Sequence, residues 1–340
     1  MKKNTILVFG AAGFIGTYLI DELINNGYEV TASDNNNFGK EYYESKGIKY
    51  VSIDITNQND FNQINTIQFD FVIHLAALQP ATFNEKTTSV NEYVNVNTNG
   101  TINILEFCKN NSVDKLIYAS SHRNTSGLWK DNFPIKESDG RSQEYFGEYA
   151  MFSISESAAQ DCVFFYGENY NLDTIIFRLP PVYGYGPHLD IFKNGKPIKT
   201  GFQTFIDNAK QNIPIEIWGD VSVGRDIIYV KDVVDAYIKA LNTNNIKGLY
   251  NISTGYKLTL KEEIETIANV FWKSENGPNY IFMPEKRHTM DSFVYDNTKA
   301  FRDFKWKPKF SFEELLYDYE KEVNNNRFGY LVEKRKNMFN

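Results

Sequence analysis

Only two cysteines occur in this 340-residue chain, Cys108 and Cys162, and both fall in apolar helical patterns ("INILEFCKN" and "AAQDCVFFY"). That argues against a disulfide-stapled scaffold and for buried free thiols in a reducing compartment, so a cytoplasmic setting is expected. Histidine is also scarce, with four in all, and no spacing of His, Cys, Asp or Glu reads as a metal site. No apolar run approaches the roughly 18–20 residues of a membrane span. The opening "MKKNTILVFG" has a basic start, but its apolar stretch is one strand long and breaks at glycine, so no signal peptide is expected. Positive charge is in the minority: 36 Lys and Arg against 43 Asp and Glu give a net charge of -7. This argues against general binding to nucleic acid or a membrane surface, while a small anion needs only a local positive site. What remains, 42% hydrophobic and 23% charged residues, is ordinary for a globular protein and enough to bury one large core or two modest ones.

The first half alternates short apolar runs with segments of helical spacing. "TILVFG" reads as a strand, and "FIGTYLIDELINNGY" places Ile15, Leu19, Ile20, Leu23 and Ile24 on one side of a helix that Gly27 can end. "EVTASD", "KYVSIDI", "FDFVIHLAA", "DKLIYASS" and "LDTIIFRLP" follow as strands, with helices over "VNTNGTINILEFCKNN" and from about Tyr149 to Tyr170. The fourth is almost continuously apolar, as a strand buried on both faces requires. Strands separated by helices predict an α/β fold of the Rossmann type, a doubly wound parallel sheet. After "PPVYGYGPH" the elements become short and Pro and Gly punctuate the chain, which predicts a smaller C-terminal α/β lobe. The expected division is 1–180 for the sheet domain and 181–325 for the lobe, some of whose segments return to the sheet. A basic tail, 326–340, is expected to fray or pack on a neighbour.

Two motifs carry chemistry. In "GAAGFIG" the glycines Gly10, Gly13 and Gly16 follow a strand and open a helix. Glycine there lets the backbone turn sharply and approach a pyrophosphate, whose charge meets the helix N-terminus; tight packing alone is the weaker alternative. Asp34 ends the second strand about 20 residues on, where a carboxylate accepts hydrogen bonds from the adenosine ribose hydroxyls and repels a 2′-phosphate. No arginine follows it in "DNNNFGK", so NAD is favoured over NADP. Downstream, Arg225 in "GDVSVGRD" stands beside a glycine turn and can clamp a phosphate bidentately, with a salt bridge to Asp220 or Asp226 as the alternative.

With these residues in place, the chain from about residue 4 to 320 resembles the extended short-chain dehydrogenase/reductase family, the NAD-dependent nucleotide-sugar epimerases and dehydratases. "GAAGFIG" has the family's G-x-x-G-x-x-G spacing, and "GRDIIYVKDVVDA", "YDNTKA" and "FKWKPKFSFEELL" are similar to later family segments. The resemblance implies a cofactor site formed by Gly10, Gly13, Phe14, Ile15, Gly16, Asp34 and Asn35. It extends through Asp54 and Ile55 at the adenine and Leu75, Ala76 and Ala77, where small residues let the cofactor pass, to Asn97, Ser120, Glu156 and Pro180. It implies a nucleoside-diphosphate sugar as substrate, with Gln79, His122, Phe152, Pro181, Arg225, Arg287 and Asp291 as its contacts. A homodimer built through the helices after strands four and five is also implied.

The catalytic positions depart from the family. Aligning "FSISESAAQD" back from "YNLDTIIFRLP" without a gap puts Phe152 on the family's Tyr and Glu156 on its Lys. The competing register, with Tyr149 on the Tyr, needs a three-residue insertion in a helix. His122 falls on the usual Ser/Thr, and Pro181 replaces an Asn. Phe152 has no proton to exchange, and core packing is its simplest role. Glu156 cannot lower a phenol's pKa as Lys does, but can accept hydrogen bonds from ribose hydroxyls and favour cationic NAD+. His122, with an ordinary pKa of about 6.5, is the best remaining proton carrier, against a structural role at a strand end. Tyr149, one turn before Phe152, and Glu156 are its possible assistants, and Arg123 is a lesser candidate. The expectation is an NAD-dependent nucleotide-sugar enzyme with a rebuilt proton-transfer site. A catalytically silent NAD and nucleotide-sugar binder is the alternative.

Overall fold

The computed structural model describes residues 4–80, 89–129, 134–147, 149–187, 190–193, 196–286 and 291–338. The chain begins with β1 (Thr5–Phe9), α1 (Phe14–Asn25), β2 (Glu29–Asp34), α2 (Lys40–Glu44), β3 (Lys49–Ser52) and β4 (Phe71–His74). Next come α3 (Val90–Tyr93), a π-helical stretch Val94–Asn99, α4 (Gly100–Asn110), β5 (Lys115–Ser121), α5 (Ala150–Asn169) and β6 (Asp173–Leu179). Gly27, with φ 85°, ends α1 as its position predicts. Gly100 is small for a packing reason, since a Cβ there would stand 2.6 Å from Ile55 Cδ1.

Beyond β6 the chain makes short elements: β7 (Val182–Tyr183), β8 (Asp190–Lys193), β9 (Lys196–Lys199), α6 (Gly201–Lys210), β10 (Ile215–Trp218), β11 (Gly224–Arg225) and β12 (Ile228–Tyr229). Then follow α7 (Val230–Leu241), β13 (Gly248–Asn251), β14 (Leu258–Thr259), α8 (Leu260–Phe271), β15 (Tyr280–Met283), α9 (Thr298–Phe304), α10 (Phe312–Asn324) and α11 (Gly329–Met338). The lobe's strands pair two by two, β10 with β15, β11 with β14, β7 with β12 and β8 with β9.

Seven strands form one parallel sheet in the order β13-β6-β5-β4-β1-β2-β3. The β13 strand belongs to the lobe by sequence yet pairs with β6, whose outer edge would otherwise lie bare. Two cores cover the two faces. Ile6, Val8 and Phe177 pack with α1 and α7 on one side, while Leu7, Phe9, Leu116 and Tyr118 pack with α4 and α5 on the other. Lys115 is buried at the start of β5, and its Nζ donates to the carbonyls of Ala240, Leu241 and Thr243, closing the end of α7. Strand order reverses between β1 and β4, and the crevice beyond their carboxyl ends is where such sheets hold ligands.

The described part of the tail packs on α1 and α2. Phe328 and Leu331 are fully buried, with Phe328 edge-on to Tyr18 of α1 at 4.8 Å. Arg327 pairs with both Asp21 and Glu322 at 3.0 Å, and Tyr330 stacks on Tyr42 of α2. The start of α11 and the two residues before it therefore dock against α1 and α2. A polar sequence with two well-placed apolar residues hid this docking.

Candidate active site

The glycine loop after β1 is shaped by close approach. Gly10 has φ 78°, and a Cβ on it would lie 2.7 Å from the Ala76 nitrogen. A Cβ on Gly16 would lie 2.5 Å from the Gly10 carbonyl oxygen. Gly13 caps α1 without a side-chain hydrogen bond, which leaves first-turn N–H groups such as those of Ile15 and Gly16 without a capping side chain at the crevice end of the helix. No acidic residue occupies that first turn, so the helix end is a ready anion site.

Asp34 stands opposite. Its Oδ2 accepts from the Ala12 N–H and its Oδ1 from the Asn35 N–H, both at 3.0 Å. Burial pushes its carboxyl up, those two bonds pull it down, and the Arg335 guanidinium of α11 favours the charged form. Each oxygen keeps a second acceptor site for a ribose hydroxyl. Asp54 is exposed, and its Oδ1 accepts from Thr56 N and Oγ1 at 2.9 and 2.8 Å. Ile55 is buried and its carbonyl is held by Asn103. Leu75, Ala76 and Ala77 line the exit from β4, with Leu75 N–H on the Phe9 carbonyl. These features fit the dinucleotide that the sequence calls for.

Asn97 sits in the π-helical stretch, and such stretches cluster at functional sites. Its Oδ1 accepts from Leu78 N–H at 2.7 Å, and its Nδ2 donates to Ser155 Oγ at 3.0 Å. One side chain thus ties the loop after β4, ahead of the exposed Gln79, to the inner face of α5. That face carries Phe152, Ser155 and Glu156, all buried, while Tyr149 lies at the helix mouth and is exposed.

Glu156 does not point at a tyrosine of its own helix. It is 2% exposed and accepts from the Tyr118 hydroxyl of β5 at 2.7 Å. Burial raises its carboxyl to about 7, against the lowering effect of that bond. Ser120, two residues on, donates to Gln160 Oε1 at 2.8 Å and accepts from Asn124 Nδ2 at 3.2 Å, so its proton is committed within the protein and one acceptor site is left.

His122 occupies the end of β5. Its Nδ1 lies 3.1 Å from the Leu179 carbonyl oxygen. A carbonyl only accepts, so Nδ1 carries the proton and Nε2 keeps the lone pair. Burial, with the Arg123 and Arg225 charges, holds the imidazole well below its usual pKa. The ring stacks with Trp129 and Phe293, each at 5.6 Å. Arg123 lies over the Tyr149 ring at 3.7 Å and the Trp129 ring at 5.1 Å. The structure therefore brings His122, Arg123 and Tyr149 into one cluster and sets Glu156 apart, buried on Tyr118.

Arg225 joins the cluster from β11. Its Nη2 donates to the Tyr183 hydroxyl at 2.7 Å, which in turn donates to Glu263 Oε1 at 3.0 Å. A salt bridge to Asp226 is not formed, because Asp226 is turned inward to accept from Thr254, Gly255 and Tyr295 N–H groups. Asp220 spends Oδ1 on Ser222. Phe293 bridges to Arg225, which brings Asp291 close along the chain. Pro181, between the buried Pro180 and β7, accepts from Ile228 N–H. Arg287 lies outside the described residues. Sequence reasoning missed Trp129, Tyr183, Glu263 and Phe293. They are aromatic or acidic residues with no motif of their own, and only the fold gathers them.

A parallel sheet with a glycine-rich crevice at its switch point defines a dinucleotide-dependent enzyme fold, and comparison with known proteins assigns the family. The profile of the NAD dependent epimerase/dehydratase family matches residues 6–253, and the chain belongs to that family. NAD is its cofactor. A putative UDP-glucose 4-epimerase of Methanocaldococcus jannaschii is 28% identical over 94% of this chain and 99% of its own length. A dTDP-4-dehydro-6-deoxyglucose reductase of Escherichia coli is 26% identical over 90% of this chain and 93% of its own. The crystal structure of a UDP-glucose 4-epimerase from Thermotoga maritima, solved with UDP-glucose, superposes with a TM-score of 0.78 at 25% identity, covering 95% of this chain and 99% of that one.

Proposed function

We propose that the protein acts on a nucleoside-diphosphate sugar, exchanging hydride between a sugar carbon, C4 in the simplest case, and NAD, with His122 as the proton carrier. The observation that carries this reading is the fixed tautomer of His122. With Nδ1 committed to the Leu179 carbonyl, Nε2 is an acceptor at neutral pH and can take a hydroxyl proton. Bound NAD supplies the hydride acceptor. Arg225, held by Tyr183 and backed by Glu263, is suited to grip a diphosphate. Once a diphosphate neutralises Arg225, one of the charges that depress His122 is offset and its basicity rises.

Tyr149 and Arg123 form the rim over the sugar, while Glu156, its carboxyl raised to about 7 by burial, adds negative charge behind the nicotinamide half only above that pH. The remaining assigned contacts, among them Gln79, Phe152, Pro181 and Asp291, frame the sugar, and Arg287 belongs with them by sequence. The protein works as a cytoplasmic homodimer in this reading. Val90 and Val94 ahead of α4, and Phe165 on α5, are large apolar side chains exposed on the helices that would pair. Both cysteines are free, as a reducing compartment allows, and among the described residues no helix is long and apolar enough to cross a membrane.

Single-turnover mixing of the NAD-loaded protein with a panel of nucleotide sugars tests the reading. Transient NADH absorbance is expected with at least one sugar, and its loss in His122→Ala. If the wild type binds the sugars in calorimetry yet gives no spectral change, the protein is a silent binder and the proposal fails.

A further inference from the structure

We propose a second ligand site: the cavity walled by α5, β6, β13 and α9 binds a compact oxyanion, of the phosphate or carboxylate class, on the guanidinium of Arg178. The cavity encloses about 900 Å³. It opens beside the outer edge of the sheet, away from the crevice between β1 and β4.

Arg178 is the observation that calls for a ligand. It stands near the end of β6, is 0% exposed, and lines the cavity. Among the described residues, none of its three nitrogens, Nε, Nη1 or Nη2, finds a hydrogen-bond partner. A guanidinium is a fork of five N–H donors that stays charged in proteins. Burying it with every donor unmet is costly, and native structures pair such a charge. The Tyr295 ring, 5.7 Å away, offers only a cation–π contact.

The Glu137 and Asp139 charges act on the guanidinium from a distance, but neither carboxylate bonds to it. Glu137 Oε1 accepts from Asn251 N–H, Asp139 Oδ2 from Lys136 N–H, Asp161 pairs with Arg141 at 2.6 Å, and Asp296 Oδ1 accepts from Thr298 N and Oγ1. Of the charged side chains that line the cavity, Arg141 is paired with Asp161 and Arg302 with Asp303, which leaves Lys136, Arg178 and Lys299 against Glu137 and Asp296, a small positive excess in a chain whose net charge is -7. Such a pocket, with a rigid planar fork at its base, matches a bidentate oxyanion. Lys136 is exposed on the rim, placed to add a second cation at the mouth. Gln160 forms a wall shared with the active site, since the carbonyl of its amide holds Ser120.

Isothermal titration calorimetry of the full chain, saturated with NAD so that the pyrophosphate site is filled, tests the proposal. Inorganic phosphate and citrate are titrated separately at ionic strength matched with potassium chloride. Saturable binding of one of them is expected, and the tighter of the two names the class. Affinity should fall at least tenfold in Arg178→Met and several-fold in Lys136→Ala, and stay unchanged in Arg225→Ala. Lys136→Ala alters an exposed side chain and serves if Arg178→Met fails to fold. Absence of saturable binding for both anions would overturn the proposal. So would unchanged affinity in the Arg178 and Lys136 variants, or loss in Arg225→Ala, which would place the anion at the substrate site.

Discussion

Replacing Glu156 by glutamine removes a charge while keeping the side chain's shape, and the structure sets the size and sign of the effect. The carboxyl is 2% exposed, and burial lifts it from 4.5 to about 7. A raised carboxyl binds its proton more tightly in the folded state than in the unfolded one. Stability is therefore fullest below pH 4.5, declines as pH rises to about 7, and stays reduced above it. At about 1.4 kcal/mol per unit, the full cost of holding the buried carboxylate is about 3 kcal/mol. Glutamine carries no such cost, and its amide oxygen can still accept from the Tyr118 hydroxyl. With an unfolding entropy of about 2.1 cal/mol/K per residue, a chain of this length shifts its Tm by about 4 °C for 3 kcal/mol. Thermal melts of both proteins without ligand, at pH 5 and pH 8 and equal ionic strength, measure this. The glutamine variant should melt up to about 4 °C higher at pH 8 and nearly together with the wild type at pH 5. An equal difference at both pH values, or a less stable variant at pH 8, would refute the assignment of Glu156 as a buried, desolvated acid.

Three further outcomes are expected. Because His122 is held below its usual pKa by burial, Arg123 and Arg225, kcat/KM should stay level below pH 6.5 and fall only in more acidic buffer; the acid limb of kcat should lie at higher pH, and a kcat/KM limb at or above 6.5 would count against His122 as the base. Arg225→Ala should weaken nucleoside-diphosphate binding by about 2–3 kcal/mol in calorimetry, with Arg225→Lys recovering only part, because the planar fork rather than the charge alone is lost; full recovery by lysine would contradict this. Deleting residues 327–340 removes the buried Phe328 and Leu331 and the Arg335 charge near Asp34; the shortened protein should melt several degrees lower and bind NAD more weakly, and unchanged NAD affinity would show that α11 only braces the fold.

The six strands of the first half, the alternation of strand and helix there, and the glycine loop were legible in the sequence because each follows from local chemistry. Apolar runs bounded by Gly and Asp predict β1, β2 and β4. The spacing of Gly10, Gly13 and Gly16 predicts a close backbone approach, and the geometry shows one, with no room for a Cβ on Gly10 or Gly16. The expectation that Phe152 and Glu156 stand where the family has its tyrosine and lysine also came from the sequence, since the following strand fixes the helical register without a gap. Where those changed side chains point was not. Glu156 could have faced the crevice or solvent, and its bond to Tyr118 joins residues 38 positions apart. The docking of α11 on α1 and α2, and the return of β13 to the sheet, depend on free surfaces and edges that exist only after the domain has formed.

The sequence by itself therefore determined the cofactor half of this protein, because dinucleotide binding rests on backbone geometry that glycine and one carboxylate specify over a few residues. Only the tertiary structure decided the chemistry of the other half. The tautomer of His122 depends on a carbonyl 57 residues away, and Arg225 is oriented by Tyr183 and Glu263 from separate elements. Protonation states and unpaired charges such as that of Arg178 are set by burial and by partners brought together across the fold, and no local pattern encodes them.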